Sequence, residues 1–249
     1  MTAPNDSTPN HSVATTSPVR LPRTAALGPG SGGQPRLLID APAGAAEIYL
    51  HGATVTSWIP RGGSEVIFTS RQAVFDGATA IRGGIPLCLP EFGVGINGNA
   101  VPKHGWARIA PWRLRTVTST DDSGVRALLS VSRDRLTALY EVEVGQTLRL
   151  GLSLRNDGTE PRTVEAAAHT YLSVHDVTAS VISGLDAAAY SDNLARNPQE
   201  SRRVQEGDVK ISGPVDRIYD SAAPIAVVDP GHRRTIRIDK RNAPSTIVW

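Results

Sequence analysis

The sequence predicts an all-β fold, a large antiparallel sandwich, on three observations. Apolar residues occur in short runs separated by turn residues, the clearest alternation has a period of two, and no segment sustains a 3.6-residue apolar stripe. Taken in order, residues 1–34 are rich in Ser, Thr, Pro, Gly and Asn with no long apolar run, and read as a disordered tail rather than a targeting segment. Strand-like runs follow at Leu37-Leu38-Ile39, Ile48-Tyr49-Leu50 and Glu65-Val66-Ile67-Phe68, and later at Ala127–Val131. Across 147–156, Leu148, Leu150, Leu152 and Leu154 alternate with Arg149, Gly151, Ser153 and Arg155, the pattern of a strand with one buried face. Thr235–Asp239 repeats it with Ile236 and Ile238 inward. Two connections are long for such a fold, 91–106 and 186–207.

The 249 residues, 40% hydrophobic and 20% charged, fit one domain spanning 35–249 behind the tail. A formal net charge of +2 with no basic stripe argues against a nucleic-acid partner. No run approaches the roughly 20 apolar residues that a spanning helix needs, so no membrane role is expected. The single cysteine, Cys88, lies between Leu87 and Leu89 and reads as a small buried hydrophobe; a soluble, cytoplasmic protein is expected. The six histidines are scattered without zinc-like spacing, so neither a metal nor another cofactor is expected.

Residues 79–113 carry the chemistry. Arg82 precedes Gly83-Gly84, and Lys103-His104-Gly105-Trp106-Ala107-Arg108 again sets cations beside glycine, so the main chain can approach a ligand closely while fixed positive charge meets it. An anionic small molecule suits this arrangement. Arginine also presents paired planar donors that match phosphate oxygens, although a lone arginine usually reads as a solvated surface charge. Across 163–174 one parity reads Val164, Ala166, Ala168, Thr170, Leu172, Val174, and the other holds Glu165, His169 and Tyr171. His169 thus falls on the polar face. On the residues alone it fits a histidine bonded to a neighbouring strand as well as it fits a catalytic group.

Motif order narrows the alternatives. H-G-A-T-V-T-S-W at 51–58, R-G-G-I-P at 82–86, P-E-F-G at 90–93, H-G-W-A-R at 104–108, H-T-Y at 169–171, D-R-I-Y at 216–219 and T-I-V-W at 246–249 occur in the order of the hexose-6-phosphate mutarotases (glucose-6-phosphate 1-epimerases) of the aldose 1-epimerase superfamily, which this chain resembles. The resemblance implies a galactose-mutarotase-like β-sandwich and interconversion of the α and β anomers of a hexose 6-phosphate, glucose 6-phosphate first. It implies His169 as the general acid and His104 as the histidine that holds and polarises the ring. Arg82 and Arg108 match the phosphate pocket, Lys103 a substrate-contacting position, and Asp216 an acceptor for sugar hydroxyls. Trp106 and Tyr171 fit core packing better than a sugar platform. The family's general base is a glutamate beyond the T-V-V-W motif. The expectation is therefore of a chain lacking that residue and the terminal strands, monomeric by default, with an uncovered sheet edge through which a dimer could form. Glu165, roughly 13 Å from His169 at about 3.3 Å per residue, is too distant to replace the base, and Glu91 is a less constrained candidate. Two further readings stand beside the enzyme: a non-catalytic sugar-phosphate binding or sensing module, and a purely structural sandwich. The last leaves the clustering of residues 82–108 unexplained.

Overall fold

The computed structural model describes residues 18–197 and 201–249, and within them every regular element is a strand apart from two single 3-10 turns. Strands β1 (Ala25–Pro29), β2 (Pro35–Ala41), β3 (Gly44–Tyr49) and β4 (Thr54–Pro60) form an antiparallel meander in chain order. After the short β5 (Leu87–Cys88), a second meander comprises β6 (Arg113–Ser119), β7 (Val125–Arg133), β8 (Leu136–Val144) and β9 (Leu148–Asn156). Alternation decides which side chains go inward: Val125, Ala127 and Leu129 of β7 and Leu136, Ala138, Tyr140 and Val142 of β8 are all at most 2% exposed. They share one core with Leu37, Ile39, Ile48 and Val55 of the first sheet.

The remaining strands are β10 (Ala167–Ala168), β11 (Val181–Ser183), β12 (Ala189–Asp192), β13 (Arg202–Val204), β14 (Val209–Lys210), β15 (Arg217–Tyr219), β16 (Ile225–Asp229), β17 (Arg234–Ile238) and β18 (Thr246–Val248). They make two four-stranded sheets, ordered β14-β11-β16-β17 and β13-β12-β15-β18, around a second core of Leu185, Tyr190, Val209, Tyr219, Ile225 and Val248. β5 and β10 pair with each other. A polar clamp ties β16 and β17 to distant chain. The fully buried Asp229 carboxylate meets His232 Nδ1 at 2.7 Å and Arg234 Nε at 3.5 Å. Arg234 in turn donates to the carbonyls of Ser64, Glu65 and Ser173.

Several sequence expectations change here. The ordered chain starts before residue 35: β1 pairs with β2 over Ala25–Pro29, because the short run Ala25-Ala26-Leu27 suffices for an edge strand. Residues 1–17 lie outside the described part. Segment 186–207 is not one long connection, since β12 and β13 fall within it and pair. The 65–68 run makes one isolated bridge, Ile67 to Leu172, rather than a ladder. β9 and β17 occur where the alternation puts them, but Leu148, Leu150, Leu152, Ile236 and Ile238 are only half-buried and Leu154 is exposed. Segment 163–174 is the larger departure. Ala166 and Ala168, on the expected inner parity, are exposed, and only Ala167–Ala168 is a strand. The other parity does the bonding: the N–H groups of Glu165, His169, Tyr171 and Ser173 donate to the carbonyls of Pro90, Pro86, Gly84 and Val66.

Candidate active site

These bonds gather the motifs. The Arg82 block threads between 67–70 and 165–171, with Ser70 N–H donating to the Arg82 carbonyl and Gly84 N–H to that of Phe68. Gly83 permits the passage: its φ is +115°, and a Cβ there would sit 2.5 Å from Thr69 Cα. On the far side, His104 itself has φ +65°, an unusual left-handed conformation for a side-chain-bearing residue. Its carbonyl accepts from Leu89 N–H and its N–H donates to the Gly93 carbonyl at 2.7 Å, so the ring is presented from a doubly tied turn.

The two imidazoles meet edge to face, with ring centroids 5.8 Å apart. His169 also packs against Tyr171 at 5.1 Å and Trp249 at 4.5 Å, and Phe92 lies 5.1 Å from His104. Trp249 remains 54% exposed, so an aromatic wall stands open to solvent beside the histidines. His104 Nδ1 accepts the Gly93 N–H at 3.2 Å; that donor has only a proton to offer, so the neutral ring carries its own proton on Nε2. Cys88 Sγ lies 3.4 Å from the same nitrogen. His169 Nδ1 is enclosed without a partner among the described residues, which leaves Nε2 as the nitrogen open to proton exchange with a ligand.

Positive charge fills the rest. Arg108 donates to the Lys103 carbonyl at 2.9 Å while its Nε is enclosed and has no partner among the described residues. Burial, and then the charges of Arg108 and Lys103, hold His104 below its ordinary pKa. His169 is lowered by burial first, then by His104 and, less, by Arg108. Burial raises Tyr171 against the opposing pull of Arg82 and Arg108, and raises the Cys88 thiol to about 11. The structure thus brings Arg82, Lys103, His104, Arg108 and His169 into one electrostatic neighbourhood. The Asp216 carboxylate accepts Asn193 Nδ2 at 3.0 Å. The β15–β18 register, continued by one residue, lays Asp216 opposite Trp249. Trp106 is a buried core side chain, as its spacing suggested.

Two participants escaped the sequence reading, and a third, Glu165, was read on the right face but not for the bond it makes. Trp249 reaches His169 only through the β15–β18 pairing, the Gly93 amide is a backbone group with no side-chain signature, and the Glu165 carboxylate turns to Phe92 N–H at 3.2 Å. Among the described residues no cluster of three or more His, Cys, Asp or Glu could hold a metal ion.

Residues 35–249 match the family model described as aldose 1-epimerase. The chain belongs to that family. A protein of Cenchrus ciliaris named "Putative glucose-6-phosphate 1-epimerase" is 33% identical over 223 residues, covering 82% of this chain and 66% of the relative. A protein of the same name from Escherichia coli (strain K12) is 28% identical over 223 residues, covering 86% and 73%. A crystal structure of a "putative mutarotase" from Salmonella typhimurium superposes with a TM-score of 0.77 at 26% identity, over 88% of this chain and 74% of that one. This chain therefore spans about two thirds of the length of the Cenchrus ciliaris relative. The all-β, mutarotase-like fold expected from the motifs is the one the family shares.

Proposed function

We propose that this protein interconverts the α and β anomers of a hexose 6-phosphate, with glucose 6-phosphate as first substrate, and works in the cytoplasm. The observation that carries the reading is the edge-to-face pair His104–His169, with Arg108 and Lys103 acting on it, Arg82 acting on the adjoining Tyr171, and the Trp249 wall beside it. His169 Nε2 delivers a proton to the ring oxygen as a base takes the proton of the C1 hydroxyl. The C1–O5 bond then breaks, the aldehyde end rotates, and reclosure on the other face reverses both transfers. His104 Nε2–H donates to a ring hydroxyl, Arg82 and Arg108 pair with the phosphate, and Asp216 accepts from a hydroxyl. Arg108 has a second effect. Its charge adds to burial in disfavouring imidazolium in the free protein, and a phosphate dianion placed against it offsets that part, so substrate arms the acid.

The experiment is anomer exchange of glucose 6-phosphate followed by NMR, with the spontaneous rate subtracted. Exchange above background that disappears in His169→Ala supports the reading, and an undiminished rate in that variant removes His169 from the mechanism. A second reading, a sugar-phosphate binding module, is favoured by one observation: neither imidazole has a carboxylate hydrogen-bond partner among the described residues, and the Glu165 carboxylate is taken by Phe92 N–H. It predicts phosphate-sensitive binding with exchange at the background rate.

A further inference from the structure

Two strand registers set three side chains in one row. Arg217 lies opposite both Asp192 and Val248, so one residue beyond the paired part Asp216 stands between Asn193 and Trp249. Directly opposed residues share a face of a sheet, and successive residues alternate between faces. Tyr190, Tyr219 and Val248 point into the second core, so Asn193, Asp216 and Trp249 belong to the other face, where Trp249 packs against His169 at 4.5 Å. Asn193 holds Asp216 at two points. Its backbone N–H donates to the Asp216 carbonyl at 2.8 Å, and its side-chain Nδ2 donates to Asp216 Oδ1 at 3.0 Å. The amide must turn its nitrogen this way, because its oxygen would meet the carboxylate acceptor to acceptor. No other hydrogen bond to this carboxylate is made among the described residues, which leaves Oδ2 to accept from a ligand. Asn193 is itself placed by its turn: the Asp192 carboxylate accepts Leu194 N–H at 2.9 Å, and the Asp192 carbonyl accepts Ala195 N–H at 3.3 Å.

We infer that Asn193 is a positioning residue: its side-chain amide fixes the Asp216 carboxylate in the one rotamer that turns Oδ2 toward the sugar. The inference rests on the epimerase reading only in naming a sugar hydroxyl as what Asp216 meets. Asp216 is half-buried and Asn193 exposed, so their bond lies at the rim of the face and acts on direction more than on stability. Without it the carboxylate is free to sample other staggered wells. Asn193→Ala keeps the backbone bond and removes the side-chain donor alone. Asn193→Asp keeps the shape and sets a second carboxylate against the first.

The first test needs no substrate. Three-bond NMR couplings from the backbone nitrogen and carbonyl carbon to Asp216 Cγ report its χ1 in the labelled free protein, with Asp216→Ala to assign the signal. A single rotamer is expected in the wild type and averaged couplings in both Asn193 variants, the Asp variant giving the answer should the Ala variant fail to fold. Single-rotamer couplings in a folded Asn193 variant overturn the inference. The second test is a double-mutant cycle, read as the Kd of glucose 6-phosphate by calorimetric titration. Asn193→Ala should raise Kd about threefold to tenfold when Asp216 is present, and less than about twofold in the Asp216→Ala background, where nothing is left to position. Equal losses in the two backgrounds also overturn the inference, because a general effect on the fold would persist without Asp216. Should Asp216→Ala bind glucose 6-phosphate as the wild type does, the sugar contact assigned to Asp216 is refuted and the functional half of the inference with it, while the couplings still decide whether Asn193 holds the carboxylate.

Discussion

Gly105→Ala should disable the site through the backbone, and Gly62→Ala is its matched control. Both glycines have φ +69°, so each alanine incurs the same left-handed penalty, about 1 kcal/mol. They differ in their surroundings. Gly62, in the exposed turn after β4, has nothing within 4 Å of a built Cβ, whereas at Gly105 the Cβ would lie 2.2 Å from the Leu89 carbonyl oxygen, 2.4 Å from its carbon and 2.7 Å from Pro90 N. Ordinary contact begins at 3.4 Å and all three neighbours are backbone, so the 104–105 turn must retreat by about 1 Å. Overpacking of this kind costs about 1–3 kcal/mol, for a total near 3 kcal/mol. At about 3 °C per kcal/mol for a chain of this size, Gly62→Ala should lower Tm by roughly 3 °C and Gly105→Ala by roughly 9 °C. A displacement of that size at His104 should also cost on the order of 100-fold in anomer exchange, while Gly62→Ala exchanges at the wild-type rate. Differential scanning calorimetry and the NMR exchange assay read the two quantities. Equal melting shifts and equal rates in the two variants would show that the close approach of Gly105 to Leu89 does not hold His104 in place.

Replacing Arg108 with alanine should weaken binding of glucose 6-phosphate far more than that of glucose by calorimetric titration; equal losses would mean that Arg108 does not read phosphate. His169 titrates below 6.5 in the free protein, so an acid role predicts that kcat/KM falls as pH rises through that depressed value, whereas kcat, with phosphate against Arg108, declines at higher pH. The substrate phosphate itself titrates near 6, so the His169→Gln profile sets the baseline, and coincident profiles for kcat and kcat/KM would count against substrate arming the acid. At Asp229, burial alone would raise the pKa, but hydrogen bonds from the His232 ring and from the His175 and His232 amides outweigh it, and the value lies below the ordinary 3.8. A depressed carboxylate contributes stability that is complete above its unfolded value, near 4, and lost as pH falls through the folded one. Asp229→Asn should therefore cost about 3–5 kcal/mol at neutral pH and flatten the acid limb of the Tm profile, and an acid limb identical to the wild type would remove Asp229 as its source.

The parts of this molecule legible in the sequence are those where one local pattern governs. β9 and β17 follow from alternation, β7 from a short apolar run, and the burial of Cys88 from its apolar neighbours. The His104 and Arg82 blocks announce themselves because left-handed turns and close backbone contacts need glycine, and glycine is visible in a sequence. Segment 163–174 was less legible. Parity placed His169, Tyr171 and Glu165 together, but the expected apolar face, Ala166 and Ala168, has too little surface to drive burial, and the hydrogen bonds to residues 66–90 decide the course of the chain instead. β1 escaped because five residues amid Gly, Pro and Ser give no period to detect. Trp249 and the Gly93 amide depend on pairings between distant strands and loops, which no local pattern encodes.

Arg234 grips carbonyls at Ser64 and Ser173, the first 170 residues away along the chain, and Trp249 leans on His169, itself edge to face with His104. Such contacts close large loops before they repay the lost chain entropy, which places them late on a folding route. The sheets built from neighbouring strands can form while His104 and His169 are still unassembled. Refolding experiments should accordingly show secondary structure returning ahead of sugar-phosphate binding, and ligand protection would mark the arrival of the long-range contacts rather than of the strands.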